Sequence, residues 1–291
     1  MRRLAPDGSD IGPQCAGRGP ESRRVASCRA AWAERNPKRL RYHGAMSRPH
    51  LVSLPYSPWS LKAKWALDHH RVAYRLGTHL PMLGEPLLRL RTGRWSGKVS
   101  VPILIADGEA IMGSDAIARW ADAHGEGEPL FPEGEDEAVA HWNGIADELL
   151  DAGRARVIER SLASREALIE SVPGPRFLRP LLVPVGKMGA RFLARKYGAD
   201  QAGGRDVLER GLAALREALD GDAHLVGDRF TFADIAMAAA LACVRPPGRS
   251  WDHLGDASRA CWTDDALAEQ HEELLAWRDH LFAERFPPRV R

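Results

Sequence analysis

The sequence predicts a small α/β domain of order βαβαββα followed by an all-α helical domain. Three observations carry that reading. An apolar run at residues 51–54 leads into a proline-headed helix and then a second apolar piece, which together make a βαβ unit. Asp107-Gly108 stands between two short apolar runs, a strong hairpin signal. From residue 136 onward apolar residues recur at helical spacing with no strand pattern.

Each element has a local reason. Leu51-Val52-Ser53-Leu54 reads as a buried strand. In Pro55-Tyr56-Ser57-Pro58, Ser57 sits where an N-cap belongs and Pro58 where its missing N–H costs nothing. The helix that follows puts Trp59, Ala63, Ala66 and Leu67 on its apolar side, and Val72-Ala73-Tyr74 reads as the next strand. A short helix is predicted over residues 87–91 and a loop over residues 92–100. Residues 101–106 read as a strand beginning at Val101-Pro102, with residues 109–112 as its antiparallel partner. Ser114 is the predicted cap of the last helix of this domain, with Asp115 favourable in its first turn. That is the thioredoxin-like order, over residues 48–124.

Residues 125–135 read as a linker, with Leu130-Phe131 as a hydrophobic plug. The helical domain spans residues 136–286. Two helices are expected between residues 136 and 172, broken near Gly153. The apolar stretch 177–197 reads either as a buried kinked helix or as a cover over a pocket to which Met188 and Phe192 contribute. Residues 206–219 form a clear amphipathic helix. Thr231 and Asp234 form a capping box, with Phe230 and Ile235 as its staple, ahead of a fully buried helix over 235–244. Residues 245–262 are expected to be an irregular loop holding Trp251 and Trp262, and residues 264–284 a single last helix.

Composition narrows the function classes. Residues 1–45 carry ten Lys or Arg against four acids, so the remainder of this +2 chain is mildly acidic and shows no basic face for nucleic acid. That leader has no apolar periodicity. It is expected to be a disordered tail or an extension upstream of a true start at Met46. Cys15, Cys28, Cys243 and Cys261 have no zinc or dithiol spacing, which fits a reducing, cytoplasmic compartment. No metal site is expected, and the His69-His70 pair reads as polar surface. No run reaches the roughly 20 apolar residues of a membrane span.

Residues 48–124 resemble the glutathione-binding domain of the cytosolic glutathione transferases, as a serine-type, bacterial-like member. The match rests on Ser57-Pro58-Trp59-Ser60-Leu61-Lys62 after a strand, Val101-Pro102 before a hairpin, and Ser114-Asp115-Ala116-Ile117 opening a helix. The Phe230 to Ile235 box is a second signature, structural in this family. The resemblance implies that Ser57 donates its hydroxyl to the glutathione sulfur, with Tyr56 and Ser60 as near alternatives. It implies a cis peptide at Val101-Pro102, with Val101 pairing along the cysteinyl backbone. Ser114 holds the γ-glutamyl carboxylate, and Lys98 reaches the glycine carboxylate. The family commonly places an acid before that serine and a lysine or glutamine before the Val-Pro pair. Here Gly113 and Ser100 stand in those places, so the carboxylate that would contact glutathione's amino group is absent or Asp115 substitutes for it.

The implied activity is attack by glutathione thiolate on a small hydrophobic electrophile, with Trp59 and Trp95, and also Tyr56, as walls of its site. The implied assembly is a homodimer. Two other readings stay open: a binding module on the same fold without turnover, or a glutathione-dependent reductase or isomerase.

Overall fold

The computed structural model describes residues 48–198, 204–248 and 254–286. The leader, with Cys15 and Cys28, and Trp251 lie outside the described residues. A four-stranded sheet has the order β2-β1-β3-β4: β1 (His50–Ser53), β2 (Arg75–Thr78), β3 (Ile103–Ala106) and β4 (Glu109–Met112). β1 runs parallel to β2 and antiparallel to β3, and β3 pairs antiparallel with β4 across Asp107-Gly108. Helices α1 (Pro58–His69) and α3 (Ser114–His124) pack together, and α2 (Glu85–Thr92) follows β2. This is the expected mixed sheet of βαβαββα order.

Two boundaries differ from the sequence reading for one reason. The apolar residues 72–74 precede the strand, with Tyr74 2% exposed in the core, while β2 lies at Arg75–Thr78 with Leu76 44% exposed. An edge strand is defined by its backbone ladder and needs no apolar pattern. Likewise β3 begins at Ile103, because Val101-Pro102 is a cis peptide ahead of the ladder.

The helical part comprises α4 (Asp136–Ala163), α5 (Arg165–Ser171), α6 (Val183–Tyr197), α7 (Arg205–Ala218), α8 (Phe232–Ala240), α9 (Asp256–Trp262), α10 (Asp265–Gln270) and α11 (Glu272–Arg285), with 3-10 turns at Arg179–Leu182 and Leu241–Cys243. Gly153 does not break α4. A Cβ there would overlap the Cys243 sulfur, so the glycine admits a close neighbour instead of ending the helix. The break comes at Ser164, whose hydroxyl accepts from the Ala167 N–H at 3.1 Å to cap α5. Two further corrections concern the C-terminal end. α9 lies inside the predicted irregular loop. The predicted last helix is two, parted at His271 (φ −128°, ψ 38°), with Asp264 capping α10 through Leu267 N–H at 3.2 Å.

α8 is the axis of the helical part. All nine of its residues are buried, because all but Asp234 are apolar, that carboxylate is bonded at the helix head, and α1 and α4 pack against it. Leu130 is fully buried near its head, accepting from Phe232 N–H at 3.0 Å, with the Phe131 ring 5.2 Å from that of Phe232. His70 also departs from expectation. It is 2% exposed, and its Nε2 lies 2.8 Å from the Asp122 carboxylate, so the pair His69-His70 is not plain surface. No helix among the described residues is long and apolar enough to cross a membrane.

Candidate functional site

A cavity of about 490 Å³ opens between the C-terminal end of β1, the head of α1 and the helices α4, α5 and α6. Its polar corner is built by the chain turn after β1. Ser57 N–H donates to Leu54 O at 3.2 Å, closing a turn, and Pro58 then starts α1. The Ser60 hydroxyl accepts from Leu54 N–H at 3.1 Å and is fully buried, so it holds this turn in place and does not line the cavity. Ser57 occupies the cap position with extended backbone (φ −86°, ψ 124°), yet its hydroxyl makes no bond to the helix it heads. It is 8% exposed and lines the cavity. The helix therefore leaves this hydroxyl and the positive end of its dipole to whatever sits there.

Three other predicted groups share the cavity wall. The cis Val101-Pro102 peptide lines the same cavity as Ser57, and Pro102 O accepts from Gly113 N–H at 3.1 Å. That bond brings the head of α3 to the same corner. Ser114 is 6% exposed and lines the cavity, but it is the first residue of α3 and not its cap: Gly113 takes the cap position, with a positive φ of 101° that suits glycine. Lys98 lines it too, its ammonium 4.4 Å from the centre of the Tyr197 ring. Burial, then Arg154 nearby, lowers the Lys98 pKa.

Not every predicted group is brought together. Asp115 points along its helix, its carboxylate 3.3 Å from Arg119 Nε, and does not line the cavity. Trp95 is 70% exposed on the loop after α2 and lies outside the cavity, so it forms no wall there. Trp59 and Tyr56 do line it. Burial pushes the Tyr56 hydroxyl up to about 12, with Tyr197 adding to the shift, so near pH 7 it stays a neutral phenol.

The far wall is the cover, one of the two readings of residues 177–197, but residues other than Met188 and Phe192 make it. α6 covers the cavity with Gly189, Ala190, Leu193 and Tyr197, while Met188 stands 52% exposed and Phe192 does not face inward. Of α6 only Gly186 is buried, and the prolines sit in the first turns of the 3-10 segment and of α6, so the buried kinked helix is not what forms. Arg154 of α4 lies between Trp59 and Tyr197, its guanidinium 4.6 and 4.0 Å from their ring centres, paired with Asp151. Asp147 accepts from Trp59 Nε1 at 3.0 Å and from the buried Lys62 ammonium at 2.7 Å, fastening the head of α1 to α4. Asp147, Asp151 and Arg154 recur at helical spacing on one face of α4, the signal that could have found them.

Comparison with known proteins decides the family. The glutathione S-transferase N-terminal domain matches residues 56–124 and the glutathione S-transferase C-terminal domain matches residues 189–280. The chain belongs to the glutathione S-transferase family. Solved transferases share its fold. One from Phanerochaete chrysosporium has a TM-score of 0.54 at 18% identity, covering 82% of this chain and 97% of its own. One from Methylobacterium radiotolerans, solved with glutathione sulfonate, has a TM-score of 0.52 at 22% identity, covering 84% and 97%. A family member from Pseudomonas fluorescens, solved with S-(propanoic acid)-glutathione, has a TM-score of 0.51 at 20% identity, covering 82% and 100%. The curated proteins give no match.

Proposed function

We propose that this family member is a serine-type glutathione transferase, in which Ser57 stabilises the glutathione thiolate for attack on a hydrophobic electrophile. One observation carries the reading. The Ser57 hydroxyl is buried at a helix head, unused by its own helix, in one cavity with the cis Val101-Pro102 peptide and Ser114. In this reading Val101 pairs with the cysteinyl backbone, the head of α3 with Ser114 holds the γ-glutamyl carboxylate, and Lys98 meets the glycine carboxylate. The glutathione derivatives bound to the Methylobacterium and Pseudomonas relatives support it by family. The electrophile lies under α6 against Trp59, Val157, Ile158 and Leu193, with Arg154 beside it for any anionic group it bears. The reading includes a cytoplasmic homodimer engaged in detoxification.

The test is calorimetric titration of glutathione into the full chain, with thiol ionisation followed by ultraviolet absorbance. Binding with a thiol pKa well below the free value of about 8.5 is expected. Binding without that shift would favour a binding module, and no binding at millimolar glutathione would end the proposal. The module reading draws on Gly113, where the family commonly has an acid, and on Asp115, which is paired with Arg119 instead of facing the cavity.

A second expectation follows from Gly113. Its φ of +101° is a conformation that side-chain-bearing residues rarely adopt, but a Cβ there would meet nothing within 4 Å. Gly113→Glu is therefore strained by about 1–3 kcal/mol without a clash. The new carboxylate would face the glutathione amino group, and affinity by calorimetry should tighten about three- to tenfold while the melting temperature falls. Unchanged affinity would mean that glutathione does not lie against this corner.

A further inference from the structure

We infer that the rim of the cavity is a docking surface for an anionic lipid bilayer, an inference about the outside of the molecule that does not rest on the chemistry within. Residues 173–198 carry six cations (Arg176, Arg179, Lys187, Arg191, Arg195 and Lys196) and no Asp or Glu. Residues 86–98 carry Arg89, Arg91, Arg94 and Lys98, again with no acid. The chain after residue 45 is mildly acidic overall, and composition alone suggested no basic face; these two strips correct that reading, because they gather positive charge locally. The strips meet. Lys196 pairs with Glu85 at the start of α2, and the Lys98 ammonium lies over Tyr197 at the end of α6.

Large apolar side chains stand in water among these cations. Phe177 is 78% exposed, Leu181 75%, Met188 52%, Leu90 64% and Trp95 70%. Leu83 and Val185 are exposed as well and also line the cavity, so the apolar rim continues into its mouth. Along α6, Val185, Met188 and Phe192 fall on one line, and Lys187, Arg191 and Arg195 on the line beside it. An apolar line bordered by cations is the pattern of a helix that lies in a membrane interface.

The charges choose the occupant. A second copy docked on this face would set the outward cations Arg176, Lys187, Arg191 and Arg195 against their own copies across a two-fold axis, while Glu85, the acid between the strips, is already taken by Lys196. A nucleic acid would answer the cations and leave Phe177, Leu181 and Met188 without an apolar partner. An anionic bilayer offers negative headgroups at its surface and hydrocarbon just beneath, and so meets both sets.

The test is sedimentation of the full chain with phosphatidylcholine vesicles, with and without phosphatidylglycerol. Retention only by the anionic vesicles, lost at high salt, is expected. The ten Lys or Arg of residues 1–45 also attract anionic vesicles, so substitutions on the rim decide. Phe177→Asp with Leu181→Asp should cut partitioning at least about tenfold, and Arg191→Glu with Arg195→Glu at least about thirtyfold. Both double variants should keep the parent's melting temperature and glutathione affinity. Three results would each overturn the inference: no retention by any vesicle, retention equal in parent and variants, or sedimentation showing that Phe177→Asp with Leu181→Asp turns a dimer into a monomer.

Discussion

Ser57→Ala should lower turnover with glutathione at pH 7 by between about twentyfold and about a thousandfold, and leave the fold as stable as before. The lower bound comes from ionisation alone. A thiol of pKa ~8.5 is a few per cent thiolate at pH 7, and one lowered by about two units is mostly thiolate, a gain of roughly twentyfold. The upper bound is what losing one preorganised donor to a developing or resting anion costs in other active sites, about a hundred- to a thousandfold. The pH profile separates the two contributions. If ionisation is all that Ser57 supplies, the variant's rate recovers above the free thiol pKa; if the hydroxyl also orients the sulfur, a deficit persists at high pH. Stability should hold because the hydroxyl makes no cap bond to α1, so its removal takes nothing from the helix. Tyr56→Phe is the control. Its phenol is pushed up to about 12 by burial and stays protonated, so it can donate a hydrogen bond but cannot act as a base near neutrality. An unchanged rate in Ser57→Ala together with a large loss in Tyr56→Phe would move the thiol-activating role one residue back along the chain.

The parts of this site that were legible in the sequence are those made by contiguous residues. Ser57-Pro58 announces a helix head, Val101-Pro102 a turn into a strand, and Gly113-Ser114 another helix head, because each depends on backbone rules of a few residues' span. The topology then brings the three together, since β1 and β3 are neighbours in the sheet and Gly113 bonds back to Pro102. What was not legible depends on packing between distant segments. Arg154 reads as one more charge on a long helix until Trp59 and Tyr197 close on it from 95 residues before and 43 residues after. Gly153 reads as a helix breaker until Cys243 is seen against it. His70 reads as surface until the Asp122 carboxylate reaches it. The Trp95 reading failed for the complementary reason: an aromatic ring near a binding motif looks like a wall, and only the loop's path shows it facing outward.

Asp234→Ala should cost about 3–5 kcal/mol, a large share of the 5–15 kcal/mol that holds an ordinary domain together. Asp234 is fully buried, and its carboxylate serves three donors at the head of α8. One oxygen accepts from Thr231 N–H at 2.7 Å and from the Thr231 hydroxyl at 3.2 Å; the other accepts from Leu225 N–H at 2.9 Å. Truncation leaves two backbone N–H groups without acceptors, at about 1–3 kcal/mol each, and takes the acceptor from the Thr231 hydroxyl, a bond worth about 1 kcal/mol more. Asp234→Asn keeps the shape but turns a donor toward one of those N–H groups, and should cost roughly half as much. Equilibrium denaturation in urea reads both values, and a loss under 1 kcal/mol in Asp234→Ala would mean that the box is not what anchors α8. The helix matters beyond stability because Ala239 at its end and Ala242 just after it pack on Leu61, in the first turns of the helix that Ser57 heads. Asp234 lies outside the cavity, so the turnover of each molecule that remains folded should change less than twofold in Asp234→Ala. A larger loss per folded molecule would show that the seating of α8 also sets where the Ser57 corner sits.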